Sequence, residues 1–119
     1  MVDSKIVCIP GGKGMLGTDL AKTLEEAGYQ VKTFDLPEYD ITNSADIKTM
    51  VEVGDFIVNC AAYTNVDKAE SEYELAHRIN AQAVGNLAEV CRQQGKWLCH
   101  ISTDFVFDGR GDSAYVETD

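Results

Sequence analysis

Residues 5–17 read KIVCIPGGKGMLG, and this stretch decides the fold. The apolar run Ile6–Ile9 predicts a buried strand, because consecutive apolar side chains suit a strand covered on both faces. Leu16, Leu20 and Leu24 fall on one face of a helix, so an amphipathic helix is predicted over residues 14–27. The stretch therefore predicts a strand, a glycine-rich turn and a helix in succession.

Three glycines in this turn, Gly11, Gly14 and Gly17, follow the pattern G-x-x-G-x-x-G. The first allows a sharp turn off the strand, the second lets a pyrophosphate approach the backbone, and the third permits close packing of helix on strand. The helix N-terminus offers N–H groups and a partial positive charge to phosphates. Glycines alone also fit an ordinary flexible turn, but Asp35, which ends the second predicted strand, favours a dinucleotide site.

The composition indicates one soluble domain over residues 1–119. The formal net charge of -10 argues against a nucleic-acid partner. No apolar run reaches membrane length and no secretory signal is visible at residues 1–4, so a cytoplasmic protein is expected. Four cysteines without metal-ligand spacing predict free thiols and no metal site. They are Cys8, Cys60, Cys91 and Cys99.

Strands and helices alternate along the rest of the chain. Further strands are predicted over residues 29–35, 55–62 and 96–103, with helices over 45–53 and about 75–91. The chain is therefore predicted to be an α/β protein with a Rossmann-type parallel sheet, helices on both faces, and truncation after about four strands. Right-handed crossovers predict the strand order 3-2-1-4.

Several residues bear on the ligand. Asp35 would accept hydrogen bonds from ribose hydroxyls and repel a 2′-phosphate, which favours NAD(H). Lys13 could meet that phosphate instead, so NADP(H) stays open. Ala61 and Ala62 leave room for a cofactor, although tight packing without a ligand explains them equally well. Thr103 follows the fourth strand, at the sheet edge where ligands bind, and its hydroxyl can hydrogen-bond a substrate carbonyl.

Four blocks of sequence resemble one family. They are NCAAYTNVDKAE at residues 59–70, INA at 79–81, ISTDFVFDG at 101–109 and YVETD at 115–119. With the glycine loop, they resemble the dTDP-4-dehydrorhamnose reductases, which are extended short-chain dehydrogenases/reductases. The resemblance covers essentially the whole chain and implies NAD(P)H-dependent reduction of a 4-keto nucleotide sugar, dTDP-4-dehydrorhamnose, to dTDP-L-rhamnose.

The resemblance also implies roles for individual residues. Thr103 aligns with the catalytic hydroxyl and, with Asp104, Phe105 and Val106, would border the sugar pocket. A Mg²⁺ ion at a dimer contact is implied by the resemblance alone, without a visible ligand set. The residues that it implies for cofactor binding are Gly11, Lys13, Gly14, Met15, Leu16, Gly17, Asp35, Asp40, Ile41, Ala61, Ala62 and Tyr63.

Two departures from the family pattern qualify the expected activity. Pro10 stands where the family more often has threonine. The Tyr-x-x-x-Lys pair that the family needs for proton transfer is missing, since Tyr115 is followed at the fourth position by Asp119. We therefore expect this stretch to be the cofactor-binding part of a larger reductase, inactive alone.

Two alternatives stay open. One is a non-catalytic binding module, similar to the regulatory subunit of methionine adenosyltransferase, and the other is an epimerase or dehydratase of the extended family. A homodimer through an unpaired sheet edge is a further expectation. The sequence leaves open the sugar, the choice of NAD or NADP, and the oligomeric state.

Overall fold

A computed structural model describes residues 5–119, so the expectation for residues 1–4 lies outside the described part. The strands are β1 (Ile6–Pro10), β2 (Gln30–Phe34), β3 (Phe56–Asn59) and β4 (Trp97–His100). The helices are α1 (Met15–Glu26), α2 (Ser44–Val53), α3 (Val66–Ala69), α4 (Tyr73–His77) and α5 (Ala83–Gln93). A π-helical turn, Arg78–Gln82, joins α4 to α5, and a 3₁₀ helix, Asp104–Val106, follows β4.

The four strands form one parallel sheet, which confirms the predicted α/β class, but the predicted strand order is wrong. The observed order is β2-β1-β3-β4, because β3 pairs with β1 rather than adding to β2. The side chains explain the difference. Gln30, Lys32 and Thr33 of β2 are exposed, as suits an edge strand, whereas Ile57 of β3 is fully buried.

Helices cover both faces of the sheet, as predicted. The step from β1 to β2 and the return from β2 to β3 run in opposite directions, so right-handed crossovers place α1 and α2 on opposite faces. Helix α5 packs against α2 and β4 and so shares the α2 face. The core fills the space between these helices and the sheet. Its buried members are Cys8, Phe34, Ile41, Ile47, Met50, Val51, Ile57, Ala83, Leu87 and Cys91.

The element boundaries follow local chemistry. Asn43 is the N-cap of α2, and its Oδ1 accepts hydrogen bonds from the Ala45 and Asp46 N–H groups at 3.0 Å each. The long helix predicted over about 75–91 is present as α4, the π-helical turn and α5, and Gly95 with φ +64° follows it. In residues 5–119, no helix combines the length and the apolar character that crossing a membrane requires.

Strand β4 forms the second edge of the sheet and carries no Lys, Asp, Glu or Pro. Its first residue, Trp97, pairs in register with Phe56 and is 76% exposed. Charged residues and proline are the usual means by which an edge strand avoids pairing with another chain. This edge lacks them.

Candidate functional site

The carboxyl ends of the parallel strands open onto a cavity of about 770 Å³, within the size range of small-molecule sites. It gathers most of the residues that the sequence predicted for the cofactor, together with Thr103. The predicted residues in its wall are Gly11, Lys13, Gly14, Met15, Leu16, Gly17, Asp35, Asp40, Ile41, Ala61, Ala62 and Thr103. Residues distant in sequence therefore form one wall because parallel strands all end at the same edge.

The glycine loop is shaped by close backbone contacts. Gly11 has φ +77°, and a Cβ on it would lie 2.5 Å from the Ala61 nitrogen. A Cβ on Gly17 would lie 2.3 Å from the Gly11 carbonyl oxygen, so α1 sits directly on the loop. A Cβ on Gly14 would meet only one atom, at 3.4 Å. No side chain caps the N-terminus of α1, which leaves its N–H groups available to a phosphate.

Asp35 lies beside this loop with one carboxylate oxygen already engaged. Its Oδ1 accepts a hydrogen bond from the Lys13 backbone N–H at 2.9 Å. Its Oδ2 is buried and has no partner among the described residues. Because a buried carboxylate oxygen without a partner is costly, this atom is well suited to a ribose hydroxyl. The sequence predicted Asp35 but not the role of the Lys13 backbone.

The part of the cavity next to Asp35 contains aromatic residues that the sequence did not single out. Tyr39 packs edge-to-face on Phe34 with ring centroids 4.8 Å apart, and both line the cavity. Ile41 lines the cavity too and is buried in the core cluster. Asp40 is partly committed to its own turn, since its Oδ1 accepts from the N–H and hydroxyl of Thr42 at 2.8 and 2.7 Å. A run of turn residues in sequence does not reveal this packing.

Buried Asn59 organises the start of the loop that follows β3. Its Oδ1 accepts from the Ala61 N–H at 3.0 Å, and its Nδ2 lies 3.2 Å from His100 Nδ1. Cys60 donates its N–H to the Pro10 carbonyl at 2.9 Å, so the chain stays against β1 after the sheet pairing ends. His100 is exposed and paired with Asn59, although its place in a strand had favoured a packed core histidine. Pro10 has no backbone N–H to donate, and this is tolerated because Pro10 is the last residue of β1.

Tyr63 was predicted to bind the cofactor, but its side chain does not line the cavity. Its N–H donates to Asn80 Oδ1 at 2.8 Å, and its carbonyl accepts from Asn80 Nδ2 at 3.0 Å. Its hydroxyl donates to Glu72, and this hydrogen bond raises the pKa of Tyr63 to about 12. Asn80 lies in the π-helical turn, a feature common at functional sites. Nothing in the local sequence pattern assigns it this role.

Thr103 lines the cavity together with Ser102. Its Oγ1 accepts from the Phe105 N–H at 3.0 Å, so the hydroxyl proton remains free to be donated. The other predicted sugar-pocket residues are not part of this wall. Phe105 is 81% exposed, and Val106 lines a separate cavity of about 580 Å³ beside the Phe107–Tyr115 ring pair.

The cysteines are free, as predicted. Burial raises the pKa of the Cys8 thiol to about 11 and also raises the pKa of Cys60, which lines the cavity. Across residues 5–119, no three His, Cys, Asp or Glu side chains are grouped so that they could hold a metal ion.

Comparison with known proteins agrees with this geometry. The family model for the RmlD substrate binding domain matches residues 5–119. The chain belongs to this family. A dTDP-4-dehydrorhamnose reductase from Mycolicibacterium smegmatis is 45% identical over 101 residues, which cover 85% of this chain and 31% of that protein.

Solved structures of the RmlD family have the same fold. The dTDP-4-dehydrorhamnose reductase of Bacillus anthracis, in complex with NADP, has a TM-score of 0.86 and 38% identity over 94% of this chain and 41% of that one. A Clostridium acetobutylicum orthologue has a TM-score of 0.89 and 36% identity over 96% of this chain and 41% of that one. The chain thus spans between 31% and 41% of the length of these relatives.

Proposed function

We propose that this chain binds a nicotinamide dinucleotide as part of an enzyme that reduces a 4-keto nucleotide sugar, dTDP-4-dehydrorhamnose. The observation that carries the proposal is Asp35, which lines a cavity of about 770 Å³ next to the uncapped N-terminus of α1 and whose buried Oδ2 has no hydrogen-bond partner among the described residues. A ribose hydroxyl and a pyrophosphate satisfy these two features together. The family relationship supports the same ligand.

The residues divide the cavity into two ends. Asp35 and Ile41 hold the adenosine half, and the backbone around Gly14 faces the pyrophosphate. The other half of the dinucleotide then lies against Ala61, Ala62 and Thr103. The bound dinucleotide supplies the hydride. Thr103 keeps a free hydroxyl proton and can donate a hydrogen bond to the carbonyl oxygen of the sugar, which stabilises the charge that develops there.

Binding itself is the first test. Titration calorimetry with NADH and with NADPH should give saturable binding, with NADH the tighter ligand because the Asp35 carboxylate repels a 2′-phosphate. Lys13 lies next to Asp35 in the structure, and its positive charge would weaken the preference for NADH over NADPH. The Bacillus anthracis relative was solved with NADP. Absence of binding by both dinucleotides to the folded chain would refute the proposal.

We further propose that this 119-residue chain does not turn over by itself, because no Tyr-x-x-x-Lys pair is present to protonate the sugar oxygen. Purified chain mixed with dTDP-4-dehydrorhamnose and NADPH should show no loss of absorbance at the nicotinamide band. Measurable oxidation would show that another group supplies the proton.

The missing pair also favours a second candidate, a non-catalytic dinucleotide-binding module. Thr103 argues for the enzyme, because its hydroxyl faces the cavity with a free proton that a pure binder does not need. Tight dinucleotide binding that a sugar nucleotide such as dTDP-glucose leaves unchanged would favour the module.

Self-association and location complete the proposal. The uncharged edge of β4, with Trp97 76% exposed, is the surface through which a homodimer would form. Light scattering after size exclusion should then show a dimer whose fraction rises with concentration, and a monomer at all concentrations would exclude it.

The four free cysteines support a reducing, cytoplasmic location.

A further inference from the structure

The loop between β3 and α3, residues 60–65, forms one wall of the dinucleotide cavity. Ala61, Ala62 and Thr64 line the cavity, whereas Tyr63, between them, does not. The sheet pairing of β3 ends at Asn59, and the Cys60 N–H bond to the Pro10 carbonyl holds the start of the loop against β1. The position of the rest of the loop depends on the side chains that hold it from outside.

Two such side chains converge on Tyr63. Asn80 bonds both its backbone N–H and its carbonyl, at 2.8 and 3.0 Å. Glu72 accepts the hydrogen bond of its hydroxyl, nine residues along the chain. The tie to Glu72 therefore closes residues 63–72 into a loop whose first residue sits between two cavity-lining neighbours.

Glu72 is itself held by the backbone of the turn between α3 and α4. Its N–H donates to the Lys68 carbonyl at 2.7 Å, and its own carbonyl accepts from the Ala76 N–H at 3.0 Å. Its side chain makes no capping bond at the start of α4, so the carboxylate does not stabilise the N-terminus of that helix. The hydrogen bond from Tyr63 joins this carboxylate, in the turn before α4, to the loop after β3.

We propose that Glu72 is a positioning residue for the dinucleotide site: through the Tyr63 hydroxyl it holds residues 61–64 in the place that the nicotinamide half of the cofactor requires. The inference rests on the proposed function. Asp35 fixes the adenosine end at the opposite side of the cavity, so the effect of Glu72 belongs to one end of the ligand. A phenol with an ordinary pKa near 10 already keeps its proton at neutral pH. The hydrogen bond to Glu72 raises the pKa of Tyr63 further, to about 12, so the hydroxyl remains a donor.

The test compares two ligands on the folded 119-residue chain. Tyr63→Phe and Glu72→Ala should each raise the Kd for NADH, or for NADPH if that binds tighter, about fivefold, equivalent to about 1 kcal/mol. The Kd for AMP, which occupies only the adenosine end, should not change. Glu72→Gln keeps an acceptor oxygen and should recover part of the loss. Tyr73→Phe is the matched control, because the Tyr73 ring stacks on His77 and is 64% exposed.

The double variant Tyr63→Phe/Glu72→Ala shows whether the two single changes act by breaking the same hydrogen bond or through two independent effects. It should bind NADH no more weakly than either single variant, because each single change already breaks the same bond. Unchanged NADH affinity in both single variants, additive losses, or a parallel loss of AMP affinity would each overturn the inference. A folded wild-type chain that binds no dinucleotide would instead refute the proposed function itself.

Discussion

Replacing Gly17 by alanine tests whether the glycine loop and α1 are in direct backbone contact. The added Cβ would lie 2.3 Å from the Gly11 carbonyl oxygen and 2.7 Å from the Gly12 Cα. These are backbone atoms, and Gly11 is held by its N–H bond to the Phe34 carbonyl at 2.9 Å. Helix α1 must therefore retreat by about 1 Å to restore a normal contact.

The expected magnitude follows from two opposed effects. Overpacking of this kind costs about 3 kcal/mol, the upper end of its usual range, because no flexible side chain can absorb the overlap. Alanine in place of glycine within a helix contributes about 1 kcal/mol in the other direction. The net loss of about 2 kcal/mol lowers the folding equilibrium constant about 30-fold and should reduce the Tm by about 10 °C.

Urea unfolding followed by circular dichroism measures this loss, and a matched variant supplies the control. Gly85→Ala lies within α5, where an added Cβ would meet nothing within 4 Å. It should stabilise the chain by about 0.5–1 kcal/mol through helix propensity alone. If Gly17→Ala proved as stable as Gly85→Ala, the close approach of α1 to the loop would be refuted.

Three further predictions concern the ligand, a helix cap and the thiols. Asp35→Ala should raise the Kd for NADH about tenfold and that for NADPH less, because only the ribose hydroxyl loses an acceptor; equal losses in calorimetry would contradict this. Asn43→Ala should lower the free energy of unfolding by about 1 kcal/mol through loss of two capping bonds, whereas the exposed helix residue Asn86→Ala should not. In thiol labelling of the native chain at pH 8, exposed Cys99 should react first, and Cys8, buried with a pKa raised to about 11, only after unfolding.

Much of the site could be predicted because it depends on residues close together in sequence. The turn off β1, the start of α1 and the acid at the end of β2 all lie within residues 6–35, where strand and helix periodicities are clear. Seven of the twelve predicted residues that line the cavity lie in this segment. Tyr63 was assigned through family resemblance. Its side chain is held by Glu72 and its backbone by Asn80, and local pattern reveals neither contact.

The strand order could not be derived from local pattern either. Both candidate orders satisfy right-handed crossovers, and the choice depends on whether the chain adds β3 outside β2 or returns past β2 to the free side of β1. The exposed polar residues of β2, Gln30, Lys32 and Thr33, favour an edge strand, but this evidence becomes decisive only when burial is known. The position of β3 beside β1 brings Ala61 within reach of Gly11.

The sequence by itself therefore determined the class of fold, the glycine turn and the acid at the end of β2, because each depends on neighbours within a few residues or on a regular repeat. Only the tertiary structure decided the sheet order, the backbone bond from Lys13 that leaves one oxygen of Asp35 unpartnered, and the contacts of Asn80 and Glu72 that hold Tyr63. These contacts join positions 9 to 22 residues apart, and such pairs meet only after the chain has packed.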